Sequence, residues 1–209
     1  MKFYDCSTAP SPRRVRIFIA EKKLDIPTVE VDLRSGEHLA EAFRRINPWC
    51  TVPVLELDDG TTISEAVAVC RYLEEIRPDP PLMGVDGRDR AVVAMWEHRF
   101  ETDGFLAVTE AFRNATKGLA GRAVTGPNSV AQIPELAQRG RGRVEHFFTA
   151  LDTQLGHHPF VAGEYYTIAD ITAQVAVDFA SWIKMDLPPK YHHAVDWYRR
   201  VSARPSAAA

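Results

Sequence analysis

The chain has 209 residues, 45% hydrophobic and 25% charged, with 14 prolines and 12 glycines, ordinary values for a globular protein of one domain or two small ones. A net charge of −3 gives no argument for a nucleic acid or an acidic membrane surface as partner. Three widely spaced cysteines, Cys6, Cys50 and Cys70, without a CxxC pair argue against a disulfide framework and against a zinc site. The N-terminus has no apolar signal core, and no run of about 18 apolar residues occurs, so the expectation is a soluble, cytoplasmic protein.

The first 77 residues alternate between two periodicities. Residues 2–6 form a short β-type run. Residues 13–24, with Val15, Phe18 and Ile19 at helical spacing, predict an amphipathic helix. Val29, Val31 and Leu33 alternate as in a half-buried strand over 28–33, and residues 37–46 read as a short helix before Asn47-Pro48. "VPVLEL" (52–57) is a strand, Asp59-Gly60 a hairpin turn signal, "TTIS" (61–64) the returning strand, and residues 65–76 a helix. This β-α-β-α-β-β-α order implies a mixed four-stranded sheet of the thioredoxin type.

Pro53 stands at the start of the third strand. Proline has no N–H to give to a sheet ladder and is normally kept out of central strands. It either opens an ordinary strand or marks an edge kept for a peptide-like ligand.

A proline-rich linker, residues 78–85, follows, and residues 86–209 read as all-helical. Residues 88–115 form a long helical stretch with a kink at Gly104. Residues 137–155 start loosely and become a helix; the arginines there, Arg139, Arg141 and Arg143, read as a solvated helix start or loop. Residues 167–185 are apolar enough for a buried helix, opened by a capping box in which Thr167 and Asp170 bond each other's backbone N–H. An amphipathic helix runs from 191 to Pro205.

"SPRRVRIFIAEK", "SGEH", "NPWCTVPVLELDDGTTISE" and "FVAGEYYTIADIT" together resemble, in order and across nearly the whole chain, the landmarks of the cytosolic glutathione transferases, and most closely their theta-like fungal and bacterial branch. The resemblance implies a glutathione transferase that conjugates the glutathione thiol to small hydrophobic electrophiles, as a homodimer and without a metal. Two other functions share the fold: a glutathione-dependent disulfide reductase or peroxidase, and a non-catalytic glutathione-binding regulator.

It also implies site residues. The Val52–Pro53 bond is expected to be cis, turning the Val52 N–H and C=O toward the cysteinyl backbone of glutathione. Ala66 N–H at a helix start suits the γ-glutamyl carboxylate, Glu65 orients that turn or meets the amine, and His38 matches a position that can hold the glycine carboxylate. Thr51 stands where many relatives have Lys.

The thiol needs a donor that favours its thiolate. The usual serine position falls on Ala9, which has none. Ser11 is the expected donor, helped by the Arg13 and Arg14 N–H groups, with Ser7 and Thr8 as alternatives. Ser11 is otherwise a helix cap, and a water held by Thr109 or Arg113 is a further candidate. Cys50, beside the Pro53 loop, is open to partial exposure. Phe105, Thr109, Phe112 and Arg113 are expected to line the electrophile pocket.

Overall fold

The first strand, β1 (Lys2–Asp5), is a centre of pairing. It lies parallel to β2 (Thr28–Glu30) and antiparallel to β3 (Val54–Glu56), and β3 pairs antiparallel with β4 (Thr62–Ser64), giving the order β2-β1-β3-β4. Helix α1 (Pro10–Glu21) connects β1 to β2, α2 (Glu41–Ile46) precedes β3, and α3 (Ala66–Ile76) follows β4. Successive strand residues face opposite sides. Tyr4 and Val54 join Cys6, Val31, Phe43 and Val52 in one buried cluster, with the Tyr4 and Phe43 rings edge-to-face at 6.1 Å. Phe3 and Leu55, fully buried, turn to the other side, left for the mutually packed α1 and α3.

This computed structural model describes residues 1–209, in two units. The first is Met1–Pro80 with Val124–Ser129 and Ala209; the second is Pro81–Ala123 with Val130–Ala208. Six residues from within the helical half thus belong to the sheet-containing unit. Inside it, the hypothetical Cβ of Gly126 would lie 3.5 Å from the Trp49 carbonyl oxygen.

Several boundaries move. Helix α1 starts at Pro10, not residue 13, because proline at the first helical position loses no hydrogen bond. It ends at Glu21, with Lys23 at φ +53° just beyond. The expected helix 37–46 is a 3₁₀ turn at Glu37–Leu39 followed by α2, broken where Ala40 turns extended. Lys22 is buried; its Nζ donates to the carbonyls of Pro78 and Pro80 and pairs with Glu74, tying the end of α1 to the segment holding the second cis bond, Asp79–Pro80.

In the second unit α4 (Gly87–Phe100) is capped by Asp86, whose carboxylate accepts the Asp89 N–H at 2.9 Å. It runs through a π-helical turn, Glu101–Phe105, into α5 (Leu106–Ala115). Gly104 lies in that turn, where an added Cβ would meet the Phe147 ring at 2.8 Å. Helix α6 (Pro134–Leu155) packs on α5. The arginines on α6 are not simply solvated: Arg139 and Arg143 both pair with Glu110, Arg143 donates to the Thr102 carbonyl at 2.6 Å, and Arg141 donates to that of Ile183 at 2.7 Å.

Helix α7 (Ile168–Ala180) is buried along almost its whole length, and α8 (His192–Ser202) stops before Pro205. The capping box is present. Asp170 also accepts the Val161 N–H and the Trp197 indole N–H, both at 2.9 Å. No helix is long and apolar enough to cross a membrane.

Two expectations follow. At Gly140 an added Cβ would lie 2.7 Å from Ala111 N and 2.8 Å from Ala107 O. Backbone cannot yield as a side chain can, so Gly140→Ala should destabilise by about 1–3 kcal/mol, read as a lower urea midpoint. Burial raises the Asp170 pKa to about 6 against the opposing pull of its hydrogen bonds. A carboxyl with a raised folded-state pKa binds its proton more readily when folded. Its contribution therefore favours folding at low pH and is lost as pH rises from about 4 to about 6. The stability difference between wild type and Asp170→Asn should shift against wild type across that window, measured by urea unfolding.

Candidate active site

The cross-strand row Tyr4–Val54–Ser64 marks one end of the sheet. Cys6, Val52 and Ala66 each lie two residues beyond a member of that row, so the loop after β1, the loop before β3 and the start of α3 meet at that end. The C-terminal end of β2 joins them through the pairing Asp5–Glu30.

The loop after β1 is braced by charge. Arg16 Nη1 donates to Asp5 Oδ1 at 2.7 Å and to the Cys6 carbonyl at 3.3 Å, and Nη2 to the Ser7 carbonyl at 3.0 Å. Asp5 is nearly inaccessible; desolvation raises its pKa while Arg16 opposes the rise. Cys6 C=O accepts the Ala9 N–H at 2.8 Å, turning the chain. Ser7 gives both its N–H and its hydroxyl to the Glu30 carboxylate at 2.9–3.1 Å. Thr8 Oγ1 lies 3.5 Å from Cys6 Sγ.

Ser11 differs from both. It is the second residue of α1, partly exposed, and its Oγ accepts from Arg14 Nη2 at 3.2 Å. Two expectations are corrected here. The N-cap is Ala9, with no side-chain cap bond, so Ser11 is inside the helix and does not cap it. Arg13 N–H is directed to the Ala9 carbonyl at 3.4 Å, and Arg14 N–H lies past the unbonded first turn, so neither is a free donor. Pro10 and Pro12 have no N–H, which leaves that of Ser11 as the one amide open in the first turn.

Val52–Pro53 is cis. The β1–β3 ladder stops at Tyr4–Val54, so the Val52 main chain takes no part in it. Asn47, buried, holds this loop: Nδ2 donates to the Thr51 carbonyl at 2.9 Å and to its hydroxyl at 3.1 Å, and Oδ1 accepts the Trp49 N–H at 3.1 Å. Sequence reading passed over Asn47, although Asn before Pro signals a turn. Cys50 sits at φ +55° and is 1% exposed, correcting the expected partial exposure. Cys6 and Cys70 are buried too.

Ala66 opens α3 with no side chain capping the helix, and Val69 N–H is the first to bond back, to the Glu65 carbonyl at 3.0 Å. The amides of Ala66, Val67 and Ala68 are therefore outside the intrahelical ladder. Glu65 is exposed and sits at φ +72°, a conformation costing a non-glycine residue about 1–3 kcal/mol and typical of ligand clamps. His38 is buried, 5% exposed, in the 3₁₀ turn after Gly36.

The four residues expected at the electrophile pocket belong to the second unit. Phe105 is buried with its ring 5.7 Å from that of Phe179. Phe112, half-buried, meets Phe179 and the half-exposed Trp182, both at 5.5 Å. Trp182 was not anticipated; it lies past the end of α7. Thr109 donates its hydroxyl to the Phe105 carbonyl at 2.9 Å. Arg113 donates to the Arg122 carbonyl at 2.6 Å, and burial, with Arg122 close by, lowers its pKa.

Comparison with known proteins bears on both units. The glutathione S-transferase N-terminal domain family matches residues 8–76, and the C-terminal domain family residues 82–205. Glutathione S-transferase 2 of Saccharomyces cerevisiae is 36% identical over 209 residues, covering 99% of this chain and 87% of the yeast protein. A glutathione S-transferase domain-containing protein from Marinobacter aquaeolei superposes with a TM-score of 0.92 at 39% identity, over 99% of both chains. The crystal structure of yeast Gtt2 does so with 0.91 at 35% identity, over 100% of this chain and 99% of its own.

The positive φ at Glu65 can be tested without a ligand. Glycine tolerates that conformation and alanine does not, so Glu65→Gly should be more stable than Glu65→Ala by about 1 kcal/mol. Equal or inverted urea midpoints would contradict the strain.

Proposed function

The chain belongs to the glutathione S-transferase family, and from that premise we propose that this enzyme conjugates the glutathione thiol to small hydrophobic electrophiles. The observation that carries the reading is the meeting, at one end of the sheet, of three unsatisfied sets of polar groups: the Val52 main chain, the first amides of α3 and the Ser11 donors.

Each set suits one part of glutathione. Val52 N–H and C=O pair with the cysteinyl backbone as an added strand would. The Ala66 amide receives the γ-glutamyl carboxylate at the positive end of a helix. Glu65 meets the γ-glutamyl amine, and His38 supports the glycine carboxylate. The cysteinyl sulfur then lies near the start of α1, where the Ser11 O–H and N–H donate to the thiolate. A free thiol has a pKa near about 8.5, and hydrogen bonds to the charged form lower it.

The thiolate attacks the electrophilic carbon, a carbon–sulfur bond forms, and the leaving group departs with its electron pair or the electrons move into an acceptor bond. Phe112, Thr109 and Arg113, backed by Phe105, supply the pocket, with Trp182 extending its apolar wall. The enzyme works as a homodimer in the cytoplasm. Disulfide exchange through the enzyme's own cysteines is not favoured, because all three are buried.

The test follows the ultraviolet thiolate signal of bound glutathione against pH. Ser11→Ala removes the hydroxyl and keeps the amide, so the titration midpoint should rise by about one pH unit while glutathione stays bound. An unchanged midpoint would overturn the role of Ser11.

A further inference from the structure

We propose that Arg14 is a positioning residue for thiol activation: it occupies the Ser11 oxygen as a donor, so that the Ser11 proton is left for the glutathione sulfur. The inference rests on the reading of Ser11 given above.

Arg14 is 4% exposed, one helical turn after Ser11, with Nη2 3.2 Å from Ser11 Oγ. A guanidinium has only donors and does not lose its proton in a protein. The Ser11 oxygen must therefore accept in this pair. Its single proton cannot point at Arg14, and no side chain or carbonyl of the protein accepts it. A serine in a helix would otherwise bond back to a carbonyl of the preceding turn; here the Arg14 guanidinium is the partner of its oxygen instead.

The cation also strengthens the donor it touches, since a hydroxyl that accepts a charge-assisted hydrogen bond becomes a better donor in turn. The other charges of this loop are engaged elsewhere. Arg16 is on Asp5, Glu30 is on Ser7, and neither bonds Ser11. Arg13, on the next residue of the turn, is half-buried. Sequence reading gave Arg14 a part through its backbone N–H and none through its side chain.

The experiment is a cycle of four proteins, wild type, Ser11→Ala, Arg14→Met and the double variant, each with bound glutathione titrated by its thiolate absorbance. Arg14→Met should raise the midpoint by about half a pH unit or more, with glutathione affinity changed by less than about twofold. In the Ser11→Ala background it should add nothing. If Ser11→Ala raises the midpoint and Arg14→Met does not, the Arg14 role fails and that of Ser11 stands. If Arg14→Met raises it equally in both backgrounds, Arg14 acts by its field alone and the positioning role fails. If Ser11→Ala has no effect, both readings fall. Should Arg14→Met not fold, Arg14→Lys replaces it. It keeps a cation but not the planar fork, and should shift the midpoint in the same direction in the Ser11 background only.

Discussion

A backbone amide bonds once, and in the first unit the prolines decide which amides stay uncommitted. Pro53 follows the point where the β1–β3 ladder ends, so the main chain of Val52 has no strand beside it. Pro10 and Pro12 occupy the first and third positions of α1, where a helix normally presents several free N–H groups; one remains, at Ser11. The start of α3 has no proline and no capping side chain, and it keeps its open amides. Three places with backbone to offer therefore lie at one end of a four-stranded sheet whose opposite faces are sealed by apolar side chains.

Much of this was legible in the chain. Strand order and helix order follow from the change between alternating and helical periodicity, which burial of one face imposes. The capping box and the turn at Asp59-Gly60 are local signals, and local signals survive folding. What was lost has physical reasons. The start of α1 was placed late because its first turn carries no apolar residue of the stripe, only two prolines and a serine. Gly104 marked the place of a kink but not its form: the irregularity is a π turn over Glu101–Phe105, in which the bare Cα of Gly104 leaves room for the Phe147 ring. Cys50 was misjudged because the exposure of a loop thiol depends on what packs around it; its Sγ lies 3.7 Å from the Pro48 carbonyl and the residue is 1% exposed. Asn47 and the Arg14 side chain escaped because polar residues gain meaning only once their partners are known.

Three of the buried charges follow one pattern. Lys22, Asp5 and Asp170 each lie out of solvent with several partners. Charges so placed cost several kcal/mol to desolvate and persist only when their hydrogen bonds are filled. Each holds an irregular stretch: Lys22 the proline segment after α3, Asp5 through Arg16 the loop after β1, and Asp170 the turn entering α7. Regular elements hold themselves by their own ladders. These three ionic groups act where the chain has none.

The placement of Val124–Ser129 in the sheet-containing unit bears on how the chain is made. A ribosome releases the N-terminus first, and domains ordinarily close as they emerge. Here the first unit is short of one segment until residue 129 has been synthesised, well into the helical half. A cut at the proline linker, natural or engineered, would part Val124–Ser129 from the unit to which they belong.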